Sequence, residues 1–439
     1  MARHSRNLDV PKLAFLASAF CGFFLMGFVV AARKLPPYQM LKVMYEDGRA
    51  FVSQLYQTRP DLLLEREYLG EGVTRHDPRL AYDGLTFMQG LFPEGVGLRL
   101  VDMAGNIVHA WVLDFFSIWP NPTHVIPKST RPAGAMNYHT QGMWIFADGS
   151  VVVNFAELGT VKLDGCGKIL WTVDRRTHHA MTANPDGSFW IPVKGDVREI
   201  APALLLPGIS KEVIVQSHGW YEDRIMLIDR DGVILQELSV LKALIDGGFD
   251  RNLFDVMTIA PKDPTHINDI EVVTEALAAR IGRVEEGDLL VSIRNLHMLV
   301  VMDRQTGWIK WSHTGPWIRQ HDPDITADGQ IEVFNNGGWG GTDGSNILRL
   351  DPASGETRVI YPPTDKRAFY TRIMGTHQAL PNGNRLITES GAGRVFEVTP
   401  SGEVVWEYIV PYDEDYAAVI EDVRRFERGY FSVPDWSCP

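Results

Sequence analysis

LVDMAGNIVHAW (residues 100–111) decides the fold: two short apolar runs flank a turn built on Asp102 and Gly105, and the second run closes on Trp111. Glycine accepts the positive φ that a tight turn between paired strands demands, so the stretch predicts a β-hairpin. The same theme returns as VKLDGCGKILW (161–171), MLIDRDGVILQ (226–236), VMDRQTGWIKW (301–311), LRLDPASGETRV (348–359) and FEVTPSGEVVW (396–406), six copies in all. A second theme, a glycine turn followed by a strand, stands ahead of these hairpins in ADGSVVVNF (147–155), PDGSFWIPV (185–193), EGDLLVSI (286–293), ADGQIEVFNN (327–336) and PNGNRLITES (381–390). Two hairpins per repeat make four strands, the content of one propeller blade.

The expectation is an all-β chain, a six-bladed β-propeller over residues 79–411. A β-sandwich lacks one theme repeated in register, and the coils of a β-helix are much shorter. The longer gaps at 194–221 and 238–264 hold insertions, and EVVTEALAARIGR (271–283) predicts a helix. Helices are also expected at 34–57, within a juxtamembrane linker (33–78), and at 413–428, within a C-terminal helix and tail (412–439).

After a short tail (1–12), residues 13–32 (LAFLASAFCGFFLMGFVVAA) are twenty uncharged residues, close to the ~20 that span a bilayer as a helix. The stretch reads as a retained single-span anchor. Val30-Ala31-Ala32 also offers the small residues of a signal cleavage site, the alternative reading. Basic residues flank both ends (Arg3, Arg6 and Lys12 before; Arg33, Lys34, Lys42 and Arg49 after), so charge does not set the orientation. A net charge of -13 leaves no basic surplus for phosphates and excludes nucleic acid as the main partner. Of three cysteines Cys21 lies in the apolar run; Cys166 and Cys438 are either one bridge in an oxidising compartment or two free thiols.

Five of the 13 histidines stand just ahead of the first strand of successive repeats: His139, His179, His266, His321 and His377. First strands line a propeller's channel, so residues distant in sequence converge there. A single histidine at such a place caps a turn or ties neighbouring blades, and at least one of His139 and His377 is expected to do that. Several imidazoles around a channel suit either a metal with an open position or nucleophilic and acid-base chemistry. Arg294, in SIRNLHMLVVMD, favours the second, because a guanidinium repels a metal ion and grips an anion. Carboxylates beside the ring histidines are expected to be scarce, which also speaks against a metal hydrolase.

THINDIEV around His266, LLVSIRNLHMLVVMDRQTGWIKW around Arg294, QHDPDITADGQIEVFNNGG around His321 and, more loosely, THHAMTANPDG around His179 resemble the PAPS-independent bacterial arylsulfotransferases (arylsulfate sulfotransferases). The resemblance implies a ping-pong reaction without a nucleotide donor, metal or other cofactor. The sulfuryl group of an aryl sulfate would pass to a channel histidine and then to a phenolic or other hydroxyl acceptor. By motif His321 is the nucleophile that becomes sulfohistidine, His266 and Arg294 hold the sulfuryl oxygens, and His179 moves the phenolic proton. His178 makes the third-repeat position a doublet; His179 is preferred because Asp186 follows it by the spacing that separates Asp328 from His321. His139 and His377 are additional channel residues. The resemblance further implies a bacterial inner-membrane protein with its propeller in the periplasm. A metal-dependent propeller hydrolase or lactonase and a non-catalytic, membrane-anchored binding propeller are the alternatives.

Overall fold

Strands with no polar face, such as LLVSI and MLVVM, need cover on both sides, and six antiparallel sheets stacked around a ring give it to them. The computed structural model describes residues 10–33, scattered positions between 35 and 48, and residues 59–126, 130–135, 137–196, 200–205, 222–259, 263–337, 344–362 and 368–438. Within blade 4, Ile267–Val272, Leu289–Ile293, Met298–Met302 and Ile309–Thr314 pair in sequence order. Blades 2, 3, 5 and 6 begin with Thr140–Ile145, Thr182–Ala183, His321–Ile325 and His377–Ala379. The glycine in each of the six hairpin turns quoted above, Gly105 through Gly402, has positive φ, which is why the repeat is legible.

Adjacent blades share apolar cores. Phe87, Leu98 and Trp111 of blade 1 pack with Met143, Val151 and Val161 of blade 2, and Leu290, Leu299 and Val301 of blade 4 with Ile331, Val333 and Leu348 of blade 5. Side-chain ties supplement the packing at the inner strands. Asn154 donates to the His179 carbonyl (3.0 Å), Asn268 to the Gln320 carbonyl (2.7 Å) and Gln378 to the Arg425 carbonyl (3.0 Å), while Asp223 accepts from the Ile267 N–H (3.0 Å). These ties set the backbone beside the channel histidines.

The ring closes where a C-terminal helix was expected. Val419–Phe426 is a strand, the innermost of blade 1, paired with Leu85–Phe92 and followed outward by Gly95–Val101 and Ile107–Val112. VIEDVRRF has helical charge spacing, but Val419, Ile420 and Val423 are fully buried in the cores of blade 1, and burial outweighs local propensity. The propeller therefore extends beyond residue 411. It also extends before residue 79, because Gly72–His76, expected within the linker, is a fifth strand on blade 6.

The 238–264 insertion carries two helices, Val240–Asp246 and Asp250–Ile259. The helix expected over 271–283 is shorter, Glu275–Ile281, because the strand runs on to Val272 and Thr274 caps the helix with its side chain. The helix expected at 34–57 and much of the 194–221 insertion lie outside the described residues.

Residues 59–439 form one unit and residues 1–58 another. In the latter, Val10–Ala32 is one helix without a charged residue past Lys12, and Ala14–Ala32 has mean hydropathy 2.2. Nineteen residues at the helical rise reach ~29 Å, the thickness of a bilayer's hydrocarbon core. Cys166 and Cys438 are disulfide-bonded, which resolves the two cysteine readings in favour of the bridge.

Candidate active site

One cavity of about 370 Å³ opens among the inner strands, lined by His139, His179, His266, Arg294 and His321 together with carboxylates. The four residues singled out by motif therefore meet, although 142 positions separate His179 from His321 in the chain. The inner strands are edge strands, and register shifts follow the histidines on three of them, at Thr140/Met143, Ile267/Asp269 and His321/Asp324. Such bulges re-aim side chains, and they admit Pro323 in a strand without a lost ladder bond. His179, His266 and Asp322 all have positive φ, an unfavourable backbone for these residues that surrounding ties hold in place.

His321 has a fixed tautomer. Its Nδ1 lies 2.8 Å from the Arg319 carbonyl and 2.7 Å from Asn336 Oδ1, two acceptors, so Nδ1 carries the proton. The Asn336 amide is itself oriented, because its Nδ2 donates to the carbonyls of Thr371 (3.0 Å) and Met374 (2.7 Å). Nε2 therefore keeps its lone pair, which among the described residues accepts one bond, from the Met374 N–H at 3.3 Å. Burial, then the Arg294 charge, push this imidazole down to about 3, so it is neutral at neutral pH.

His266 is oriented by a carboxylate. Its Nδ1 pairs with Asp263, which also takes a 2.9 Å bond from the Lys194 ammonium; that ammonium lies 2.9 Å from Asp223 as well. Nε2 of His266 is buried and makes no hydrogen bond among the described residues. Burial lowers this imidazole while Asp263 acts the other way. Burial would raise Asp263, yet Lys194 and His266 hold it at about 2.

The doublet resolves geometrically. His179 lines the cavity and its ring stands edge-on to His266, centroids 4.8 Å apart, while His178 is fully buried behind it. Nδ1 of His178 is 2.8 Å from Nδ1 of His179, and Nε2 of His178 faces Asp223 Oδ1 at 3.4 Å. With the His178 proton directed at Asp223, His179 Nδ1 donates and its Nε2 is left with a lone pair. Burial and the neighbouring imidazoles hold His179 well below its ordinary value.

Arg294 starts the turn Arg294–Leu296 after the second strand of blade 4, its N–H bonded to the His266 carbonyl at 3.2 Å. Its guanidinium touches only Asn295 Oδ1 (3.3 Å) and has no ion pair among the described residues. Burial lowers it to about 10, a cost that an anion in the cavity would offset. His139 lines the cavity, pushed down to about 4 by burial. His377 does not: it is buried at the blade 5–6 seam, bonded through Nδ1 (2.8 Å) and its backbone N–H to Asp322, and so is the blade-tying histidine. Burial would lower it, but Asp322 and Glu332 raise it to about 10.

Carboxylates are abundant here, against expectation. Asp269, Asp322, Glu421 and Asp422 line the cavity, and Glu271 and Asp324 lie close enough to perturb them. Burial, reinforced by neighbouring carboxylates, raises Glu421 and Glu271 to about 8, and Asp324 to about 7. Arg424 is the cation among them. Asp322 and Asp324 sit within the quoted motif, yet Glu421, Asp422 and Arg424 come from the strand that reads as a helix, where a bulge between Ile420 and Asp422 turns both acids to the cavity. Asp263 and Asn336 carried no sequence signal beyond proximity to His266 and the strand of blade 5.

The fold and cavity define a propeller whose channel cavity is lined by neutral imidazoles and by a guanidinium without an ion pair among the described residues. The sequence profile of the family described as arylsulfotransferase (ASST) matches residues 142–410, more than half of the chain, and the chain belongs to that family. A Bacteroides caccae protein of unknown function is similar in structure, with TM-score 0.51 and 12% identity over 79% of this chain and 99% of that one. Virginiamycin B lyase from Staphylococcus aureus gives TM-score 0.36 and 13% identity over 66% of this chain and 84% of that one, too distant to inform function. No curated protein matches the chain.

Proposed function

We propose that the protein moves a sulfuryl group from an aryl sulfate to a phenolic or other hydroxyl acceptor in two steps, through His321. The observation that carries this reading is the tautomer of His321, whose Nδ1–H is tied to Asn336 and the Arg319 carbonyl, leaving Nε2 as a lone pair in the cavity. Nε2 attacks sulfur, the sulfur–oxygen bond to the aryl group breaks, and the phenolate leaves with a proton from the His179 imidazolium. A bound sulfate ester raises His179 toward that protonated form, because its negative charge favours the cation. Neutral His179 then takes the proton of the acceptor hydroxyl, whose oxygen attacks the sulfur as the nitrogen–sulfur bond breaks. Sulfuryl transfer, like phosphoryl transfer, is loose and depends on charge stabilisation, the role assigned to Arg294 and His266 Nε2.

The site belongs on the oxidising, periplasmic side of a bacterial inner membrane, with residues 13–32 as a single-pass anchor. The Cys166–Cys438 bridge in the propeller supports that side, since disulfides persist in oxidising compartments.

The test is peptide mass spectrometry after incubation with an activated aryl sulfate. A sulfuryl adduct on the His321 peptide, absent in His321→Asn and discharged by phenol, is expected; phenol release with no adduct on any histidine removes the two-step reading.

A further inference from the structure

Part of the cavity lining is apolar: Leu62, Leu158, Ile373 and Met374 join the histidines there. We propose that these side chains seat the aryl ring of the substrate, and that Leu62, which precedes every strand of the propeller, sets how large a ring is accepted. The inference rests on the sulfuryl-transfer reading and names the part of the substrate that the cavity selects.

Met374 fixes the distance from the seat to the chemistry. Its N–H lies 3.3 Å from His321 Nε2, the atom assigned to attack sulfur. In an aryl sulfate a single oxygen separates sulfur from the ring, so a ring resting on Met374 leaves sulfur beside that nitrogen. The turn that carries Met374 is rigid. Met374 has φ 67° and Gly375 φ 101°, Thr371 Oγ1 donates to the Ile373 carbonyl (2.7 Å), and a Cβ on Gly375 would run into the Phe334 ring.

Leu62 is held as firmly. Leu63 and Leu158 are buried in the core shared by blades 1 and 2, and Leu62 and Met374 both pack against that core. The Leu64 carbonyl accepts from the Ala417 N–H (3.0 Å), the Arg66 N–H donates to the Asp415 carbonyl (2.9 Å), and the Arg59 guanidinium lies 3.9 Å from the centroid of the Tyr416 ring. The chain ahead of Gly72–His76 is thereby tied to the connection that leads into Val419–Phe426, and Leu62 is a fixed wall of the cavity. Leucine and methionine suit a flat apolar ring, which gains from burial and from thioether contact. A cavity of about 370 Å³ is small among ligand sites and fits one ring or two fused rings.

Full-length protein in detergent is titrated calorimetrically with methanesulfonate, benzenesulfonate and naphthalenesulfonate, which carry a carbon–sulfur bond in place of the ester and pass on no sulfuryl group. Affinity for the wild type is expected to rise in that order. Leu62→Ala should weaken naphthalenesulfonate about tenfold and leave methanesulfonate unchanged. Leu62→Phe, which fills the space, should exclude the naphthalene ring and keep methanesulfonate, so the seat stays testable if the alanine variant fails to fold. An unchanged ring preference in both variants would overturn the seat, and so would an equal loss of all three ligands in Leu62→Ala, the mark of a packing role. Equal affinity of the wild type for the three sulfonates removes the seat alone. Ring-dependent binding without a sulfuryl adduct on any histidine removes the transfer step and leaves the seat.

Discussion

Asn336 Oδ1 stands 2.7 Å from His321 Nδ1, and the two carbonyls that hold the Asn336 amide, those of Thr371 and Met374, come from the connection between blades 5 and 6. The tautomer of the nucleophile is thus set by the segment that leads into the next blade. Asn336→Leu removes the acceptor and frees the ring to rotate; a supporting bond of this kind is worth about 10–100-fold in activity. The loss is expected in kcat with KM for the aryl sulfate nearly unchanged, and Asn336→Asp, which keeps an oxygen at that place, should recover part of it. An equal loss in both variants would show that Asn336 acts only through packing.

Asp263 joins Lys194 to His266. Asp263→Asn withdraws the charge that opposes the burial of His266, so this imidazole should become still harder to protonate. The expected outcome is a fall in kcat/KM of about 10–100-fold with the alkaline limb of its pH profile displaced to lower pH, because Nε2 must carry a proton to hold the sulfuryl oxygens. A profile of unchanged shape would remove His266 from the proton inventory.

Arg294 contributes a planar fork that an ammonium cannot reproduce. Arg294→Lys keeps the charge in the cavity yet loses paired bonds to sulfuryl oxygens, and should lower kcat/KM by about tenfold or more, while Arg294→Met costs more again. Steady-state kinetics with a chromogenic aryl sulfate separates these. Equal activity of Arg294→Lys and wild type would reduce the role of Arg294 to that of a point charge.

The Cys166–Cys438 bridge spans 272 residues and ties the tail beyond the ring-closing strand to blade 2. Trp436 packs on His109 and Trp111 of blade 1, and the Tyr430 hydroxyl bonds the Ile145 carbonyl (2.9 Å). Removing a crosslink that closes so long a loop costs about 2–5 kcal/mol. Cys438→Ser should therefore lower Tm and make the C-terminal strand accessible to protease before the remaining blades, as read by limited proteolysis. Unchanged Tm would mean that the tail holds without the bridge.

Blade hairpins were legible because each carries its own turn glycine and local alternation, features that owe nothing to distant residues. Convergence of His179, His266 and His321 was legible because each stands ahead of the first strand of its repeat, and Arg294 because it follows a strand of the His266 repeat. Val419–Phe426 was not: a closing strand is defined by its partner Leu85–Phe92 more than three hundred positions earlier, and its Glu421, Asp422 and Arg424 went unseen with it. Asp263 escaped for a related reason, since its meaning depends on Lys194 in another blade. Asp322 and Asp324 were in view, but the exposure of Asp322 to the cavity follows from the bulge beside Pro323, which no sequence period announces.

Opposite shifts of the buried histidines and carboxylates predict a stability optimum with two separable limbs. Burial holds His321 at about 3 and His139 at about 4 in the folded chain, against an ordinary 6.5. Between those values the unfolded chain binds more protons, so stability falls as pH drops from about 6.5 toward 3. Glu421 runs the other way: burial and Asp422 raise it to about 8 from 4.5, the folded chain binds more protons in that interval, and stability falls as pH rises through it. Tm measured against pH should therefore show a shallower acid limb in His321→Asn with the alkaline limb intact, and a shallower alkaline limb in Glu421→Gln with the acid limb intact. Parallel displacement of the whole curve in either variant would mean that the residue acts through packing, with its proton uninvolved.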